Sequence, residues 1–298
     1  MNLYPMSFFK YLTVTDNHML NEYLLNKNDF TAISEALHDK LLSNYKKFLF
    51  LGVMPEVVAQ YFENKDIELT RKIQEEILNA YEKDFSKYSS PTEAIRVSEV
   101  WNSIPSQLAK ENKKFKYRNV SKRGRASVYD QAIEWLRKAG LIYLSYNIKT
   151  PKLPLSGYYD HDKFKLFVLD TGLLGAKLKL SSHAIVTGDK LFSEYNGAFI
   201  ENYTAMELVS KLNQQLCYWT SQNKAEVDFL ITINEKIIPL EVKSGYSKRM
   251  KSLRIYSEKY QPGRILRTSP RNFLTDNDFC NIPLYSISLI ENLFDDVN

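Results

Sequence analysis

Asp228, Glu241 and Lys243 are the residues whose types and spacing point to chemistry. They stand in the stretch AEVDFLITINEKIIPLEVKSG, residues 225–245, where two apolar runs flank the polar Asn234-Glu235-Lys236. Runs rich in Val, Ile and Phe with such a break predict an antiparallel hairpin. Strand side chains alternate faces, so Glu241 and Lys243 share one face and Ile238, Leu240 and Val242 take the other. A two-residue loop, Asn234 and Glu235, pairs Ile233 with Lys236 and sets Asp228 opposite Glu241. A three-residue loop sets it opposite Val242. Two carboxylates side by side repel each other unless something positive sits between or beside them. A divalent cation together with Lys243 meets that need.

A third carboxylate comes from the preceding helix, expected over about 194–213. Glu201, Ala205, Leu208 and Leu212 share one stripe, so Glu201 opens an apolar face and points toward the sheet. Magnesium, or manganese in its place, takes oxygen ligands, activates a water and neutralises a phosphodiester transition state. The candidate metal ligands are therefore Glu201, Asp228 and Glu241. Lys243 completes the catalytic set by positioning or deprotonating the water, or by stabilising the developing charge. A buried ion-pair network would leave the same pattern in the sequence.

The elements that must position these residues read in the order αβββαβ. After the Glu201 helix come strands at LCYWT, EVDFLITI and IIPLEVK, a helix over about 247–260 and a strand at RILRT. Upstream, FKLFVLDTGLLG is a strand leading to Asp170 at a turn that opens a short helix, where capping is the expected role. Residues 91–155 make a smaller unit. Thr92 caps a helix through Trp101, SQLAKEN is a short second helix, and SVYDQAIEWLRKAG is a third with Ser127 and Asp130 as its capping box and Gly140 as its stop. Followed by the strand LIYLSYNI, this is the order of a winged helix. Residues 1–90 are helical in period, in two stretches parted by Gly52 and Pro55. The expected fold is thus a mixed α/β multi-domain chain: a helical region 1–90, a winged helix 91–155 and an αβββαβ domain 156–298, restriction-endonuclease-like by resemblance.

Charge is unevenly spread along the 298 residues. The net charge is +5, yet Lys110–Arg125 holds eight basic residues and one acid, and Tyr246–Arg271 again eight and one. Clustered basic segments point to a polyanion partner, DNA above all. Arg123 and Arg125, with Ser127 and Tyr129, stand where a helix-turn-helix reader enters the major groove. Lys248, Arg249, Lys251 and Arg254 lie off the apolar stripe formed by Met250, Leu253, Tyr256 and Tyr260. All six basic residues are expected to contact nucleic acid. The two cysteines, Cys217 and Cys280, have no metal-ligand spacing and fit a reducing cytoplasm. No apolar run reaches the length of a membrane span, and no signal peptide is apparent at the N-terminus, so the expected location is cytoplasmic, away from any membrane.

Asp228, then Glu241-Val242-Lys243 on a hairpin, with Glu201 on the helix before, resembles the PD-(D/E)XK nuclease motif over roughly 195–268. The segments LYPMSFFKYL, FLGVMPEVV, FKLFVLDTGLL, GAFIENYTAMEL, YWTSQNKAEVDFLI and IIPLEVKSG together resemble a group of bacterial and archaeal AAA-family ATPases. In that group a winged helix and a PD-(D/E)XK-like domain of unknown function follow the nucleotide-binding domain. The resemblance implies that residues 1–90 are the ATPase's helical remnant. It implies a DNA-binding, Mg²⁺-dependent nuclease-like protein, or alternatively a non-catalytic regulatory module that binds DNA or an ATPase domain supplied by another chain. No G-x-x-x-x-G-K-[ST] occurs among the ten glycines, so the chain is not expected to hydrolyse ATP on its own.

Overall fold

The computed structural model describes residues 6–15, 17–87, 90–108, 113–180, 190–221 and 225–294, with 190–196 as backbone only. It is a mixed α/β structure with two sheets. The N-terminal region is helical: α1 (Phe8–Val14), α2 (His18–Leu25), α3 (Glu35–Leu51), α4 (Pro55–Asn64) and α5 (Ile67–Phe85). Gly52 ends α3 at φ 71°, and a Cβ there would come within 2.4 Å of an Asp170 carboxylate oxygen. Only glycine satisfies both the turn and that close approach.

Three helices follow: α6 (Pro91–Leu108), α7 (Tyr117–Val120) and α8 (Ala126–Lys138). Three expectations are corrected here. The cap of α6 is Ser90, which exchanges hydrogen bonds with Glu93 across Pro91, rather than Thr92. Proline at the first helical position leaves no orphan N–H there, which favours the earlier start. SQLAKEN is no second helix: residues 106–108 continue α6 through Pro105, and 109–112 lie outside the described residues. The short second helix is Tyr117–Val120 instead. Nor do Ser127 and Asp130 cap α8. The cap position is Arg125, without a side-chain bond, while Asp130 accepts from the Tyr117 hydroxyl at 2.5 Å. Gly140, at φ 73°, ends the helix as expected.

The first sheet has the order β2–β1–β3–β4, built from β1 (Ile142–Ile148), β2 (Tyr159–Val168), β3 (Leu216–Ser221) and β4 (Ala225–Val227). Its β1/β3 pair is parallel, the others antiparallel. Between β2 and β3 lie α9 (Thr171–Lys177) and the long α10 (Lys190–Leu212). The second sheet has the order β5–β6–β7–β9–β8, from β5 (Phe229–Ile233), β6 (Lys236–Val242), β7 (Ile265–Ser269), β8 (Leu274–Asp276) and β9 (Phe279–Pro283). Within it β6, β7 and β9 run parallel. Only Asp228 separates β4 from β5, so one stretch of chain passes from the first sheet to the second at that residue.

The β5–β6 turn is the two-residue one, with Ile233 paired to Lys236 and both Asn234 and Glu235 at positive φ. That backbone matches the twist of a hairpin. The helix between β6 and β7, α11, spans Lys251–Tyr260 rather than starting near Ser247. Residues 246–250 take no regular structure, and Arg271 and Arg267 lie against the carbonyls of Tyr246 and Ser247. A large hydrophobic core runs from Phe8 in α1 to Phe294, and it includes Tyr45 and Phe48 of α3 against Tyr203 of α10. A second, smaller core under α11 holds Trp219, Leu253 and Tyr256.

Candidate functional site

Lys165 is the centre of the site. It sits on β2 between Phe164 and Leu166, is 1% exposed, and reaches Glu201 Oε1 at 2.8 Å and Glu226 Oε1 at 2.7 Å. Asp228 Oδ1 lies 3.8 Å away. The other oxygen of Glu201 is taken by Lys113, whose ammonium also donates to the Gly197 carbonyl at 3.1 Å. Lys113 is delivered by a backbone strip that adds to the free edge of β2: Phe115 N–H donates to the Phe164 carbonyl at 2.8 Å, and the two rings stack. Lys114 reaches only the rim, 3.9 Å from Glu226.

The sequence-predicted residues fall into two groups. Glu201 and Asp228 both lie against Lys165. Glu241 and Lys243 pair with each other at 2.8 Å, and the second Glu241 oxygen is buried with no hydrogen-bond partner among the described residues. Asp228 Oδ2 accepts from the Val242 N–H at 2.8 Å, which ties the sheet junction to the end of β6. Among the described residues no three His, Cys, Asp or Glu side chains converge as a metal requires. The cluster in this arrangement does not fit a divalent ion, because an ammonium lies against each Glu201 oxygen and Glu241 pairs with Lys243, so the three predicted ligands do not converge on one point.

Electrostatics follow from that count. Burial would raise the Glu201 pKa, but Lys113 and Lys165 hold it down at about 2. Burial would lower the Lys165 pKa, but Glu201, Glu226 and Asp228 outweigh it and keep the ammonium above its ordinary value. Asp228 is the carboxylate left over. Burial and then the Glu201 charge push it up to about 7, against the pull of Lys165 and the Val242 N–H.

Lys165 and Glu226 were missed by sequence reasoning, although one signal was present. A lysine inside the apolar run FKLFVL, with neighbours buried on both faces, must find a counter-charge. The basic residues Arg123, Arg125, Lys248, Arg249, Lys251 and Arg254 are all exposed. Tyr129 is not. It is 3% exposed and donates to Glu99 at 2.7 Å, so it is not presented to a ligand. Asp170 caps α9 as expected, accepting from Leu173 N–H at 2.6 Å.

Residues 196–287 match DUF4143, a domain of unknown function. Residues 42–184 match a second domain of unknown function, DUF8612. The cluster is therefore built across both: Lys113 and Lys165 come from the DUF8612 segment, and Glu201, Glu226, Asp228 and Glu241 from the DUF4143 segment. No curated protein and no solved structure matches the chain. Among the described residues no helix is long and apolar enough to cross a membrane.

Proposed function

We propose that the chain is a non-catalytic DNA-binding module, built on a nuclease-like scaffold, that acts beside an AAA-family ATPase domain supplied by another chain. The observation that carries the non-catalytic part is Lys165, whose ammonium fills the space between Glu201, Glu226 and Asp228. The order α6–α7–α8–β1–β2 supports a winged helix, and α10–β3–β4/β5–β6–α11–β7 supports a restriction-endonuclease-like αβββαβ unit. The exposed arginines and lysines of the 123–125 and 248–254 segments support the polyanion partner. The DUF4143 match, together with the resemblance of the six sequence segments, supports the ATPase association.

A second reading, Mg²⁺-dependent phosphodiester hydrolysis, is favoured by one observation: the buried Glu241 oxygen that has no partner among the described residues. It requires the two lysines to leave Glu201. Filter binding of duplex DNA across a salt series decides the first part. Affinity falls linearly with log salt, and Lys248→Ala with Arg249→Ala makes the slope shallower by roughly one to two, about 0.9 for each phosphate no longer neutralised. Affinity independent of salt contradicts the DNA-binding reading. Incubating the same DNA with Mg²⁺ or Mn²⁺ decides the second part: the account expects intact DNA, and cleavage lost in Asp228→Asn establishes the nuclease instead.

A further inference from the structure

Where β6 ends, the chain enters the Tyr246–Met250 loop, and two arginines from beyond β6 fix its backbone. Arg271 Nε donates to the Tyr246 carbonyl at 3.0 Å, and its Nη2 donates to the same oxygen. Arg267 Nη1 faces the Ser247 carbonyl at 3.5 Å. Arg267 is itself buried and anchored by Asn281 Oδ1 at 2.8 Å, its register partner on β9. Among the described residues no carboxylate forms an ion pair with either guanidinium; burial and then the charge of Arg271 lower the Arg267 pKa, and Glu241, its register partner on β6, offsets part of that. The result is a loop whose carbonyls are held by arginines and whose exposed side chains include Lys248 and Arg249. On it the Tyr246 ring is 62% exposed, with Lys243 before it and Lys248 and Arg249 after it.

We propose that this loop is a grip for single-stranded nucleic acid, in which the Tyr246 ring stacks on an unpaired base and Arg271, Lys248 and Arg249 take the flanking phosphates. The inference rests on the nucleic-acid-binding reading above and names the form of the ligand. An exposed aromatic ring on a pinned backbone, interleaved with cations, is the combination that single-strand binders use. A duplex offers its phosphates to the same cations but keeps its bases stacked away from the ring. The position suits a ligand as well, because the loop lies at the carboxyl ends of the parallel strands β6, β7 and β9, where open sheets place their binding crevices. Arg271 has capacity left, since its Nη1 donates to none of the described residues.

Fluorescence anisotropy on the whole chain tests this with labelled oligo-dT, oligo-U and a mixed-sequence duplex at one fixed salt concentration. Wild type binds a single strand more tightly than the duplex, and the tighter of oligo-dT and oligo-U tells DNA from RNA. Tyr246→Ala weakens single-strand binding about tenfold and leaves the duplex unchanged, whereas Tyr246→Phe keeps both. The melting temperature of Tyr246→Ala stays at the wild-type value, since the ring covers little of the fold. Unchanged single-strand affinity in Tyr246→Ala overturns the grip while the DNA-binding reading stands. A wild type that binds neither form overturns both.

Discussion

Replacing Lys165 by methionine is expected to destabilise the protein by about 3 to 5 kcal/mol, the usual cost of stranding a buried charge by removing its partner. The methylene stem is conserved in that change, so packing is kept and the ammonium alone is lost. What remains is Glu201, Glu226 and Asp228 around an apolar tip, with only Lys113 still bonded to Glu201. Urea unfolding reads the loss as a lower midpoint at unchanged slope. A double change, Lys165→Met with Glu201→Gln, recovers part of the stability, because a neutral amide no longer needs the ammonium. The coupling between the two sites in a double-mutant cycle is expected to exceed about 1 kcal/mol. A Lys165→Met protein as stable as wild type would mean the lysine is incidental.

Asp170→Ala is the second large effect, expected at about 3 kcal/mol. The carboxylate accepts from Leu173 N–H at 2.6 Å and from Val53 N–H at 2.5 Å, so it caps α9 and at the same time ties α9 to the turn after α3. Gly172 packs there too, with a Cβ at that position 2.5 Å from the Leu51 carbonyl, and Gln74 donates to the Phe50 and Leu51 carbonyls. Alanine leaves two buried N–H groups without acceptors. Asn at the same position keeps one acceptor oxygen and costs less. Burial raises the Asp170 pKa to about 6 despite those N–H donors. A carboxyl with a raised folded pKa holds its stabilising contribution at low pH and loses it as pH rises toward about 6. The gap between wild type and Asp170→Asn therefore narrows from about pH 4 to about pH 7, measured by thermal melts.

The parts of this site that local pattern governs were legible. Alternation and the Asn234-Glu235-Lys236 break made the β5–β6 hairpin legible but left two registers open, with Asp228 opposite Glu241 or opposite Val242; the fold takes the one that pairs Ile233 with Lys236. Asp170 was legible as a cap because its turn and its helix are neighbours in sequence. The cap of α6 was legible but misread: Ser90-Pro91-Thr92-Glu93 contains the reciprocal Ser90/Glu93 pair just ahead of Thr92. Other features depend on distant partners. Lys165 meets Glu201 and Glu226 only after β2 and α10 pack and β4 joins the first sheet, and nothing in its own neighbourhood names those carboxylates. The non-helical 246–250 segment is contacted by Arg267 and Arg271, a strand away, which no helical period reports. The basic segment at 110–125 shows the same limit, since Lys113 turns inward to Glu201 rather than outward to a polyanion.

Whether lysines or a metal hold the carboxylates is measured most directly by thermal melts of wild type and Asp228→Asn from about pH 5 to about pH 8, each with and without Mg²⁺. Asp228 has a folded pKa of about 7, above its unfolded value, so its contribution to stability is present at low pH and is lost as pH rises through that value. Asn does not titrate and its oxygen can still accept from the Val242 N–H. The lysine-held cluster predicts that Asp228→Asn gains on wild type as pH rises, and that Mg²⁺ moves neither melting temperature at any pH. A Mg²⁺-dependent rise in the melting temperature of wild type alone, greatest at about pH 8 where Asp228 is ionised, would contradict it.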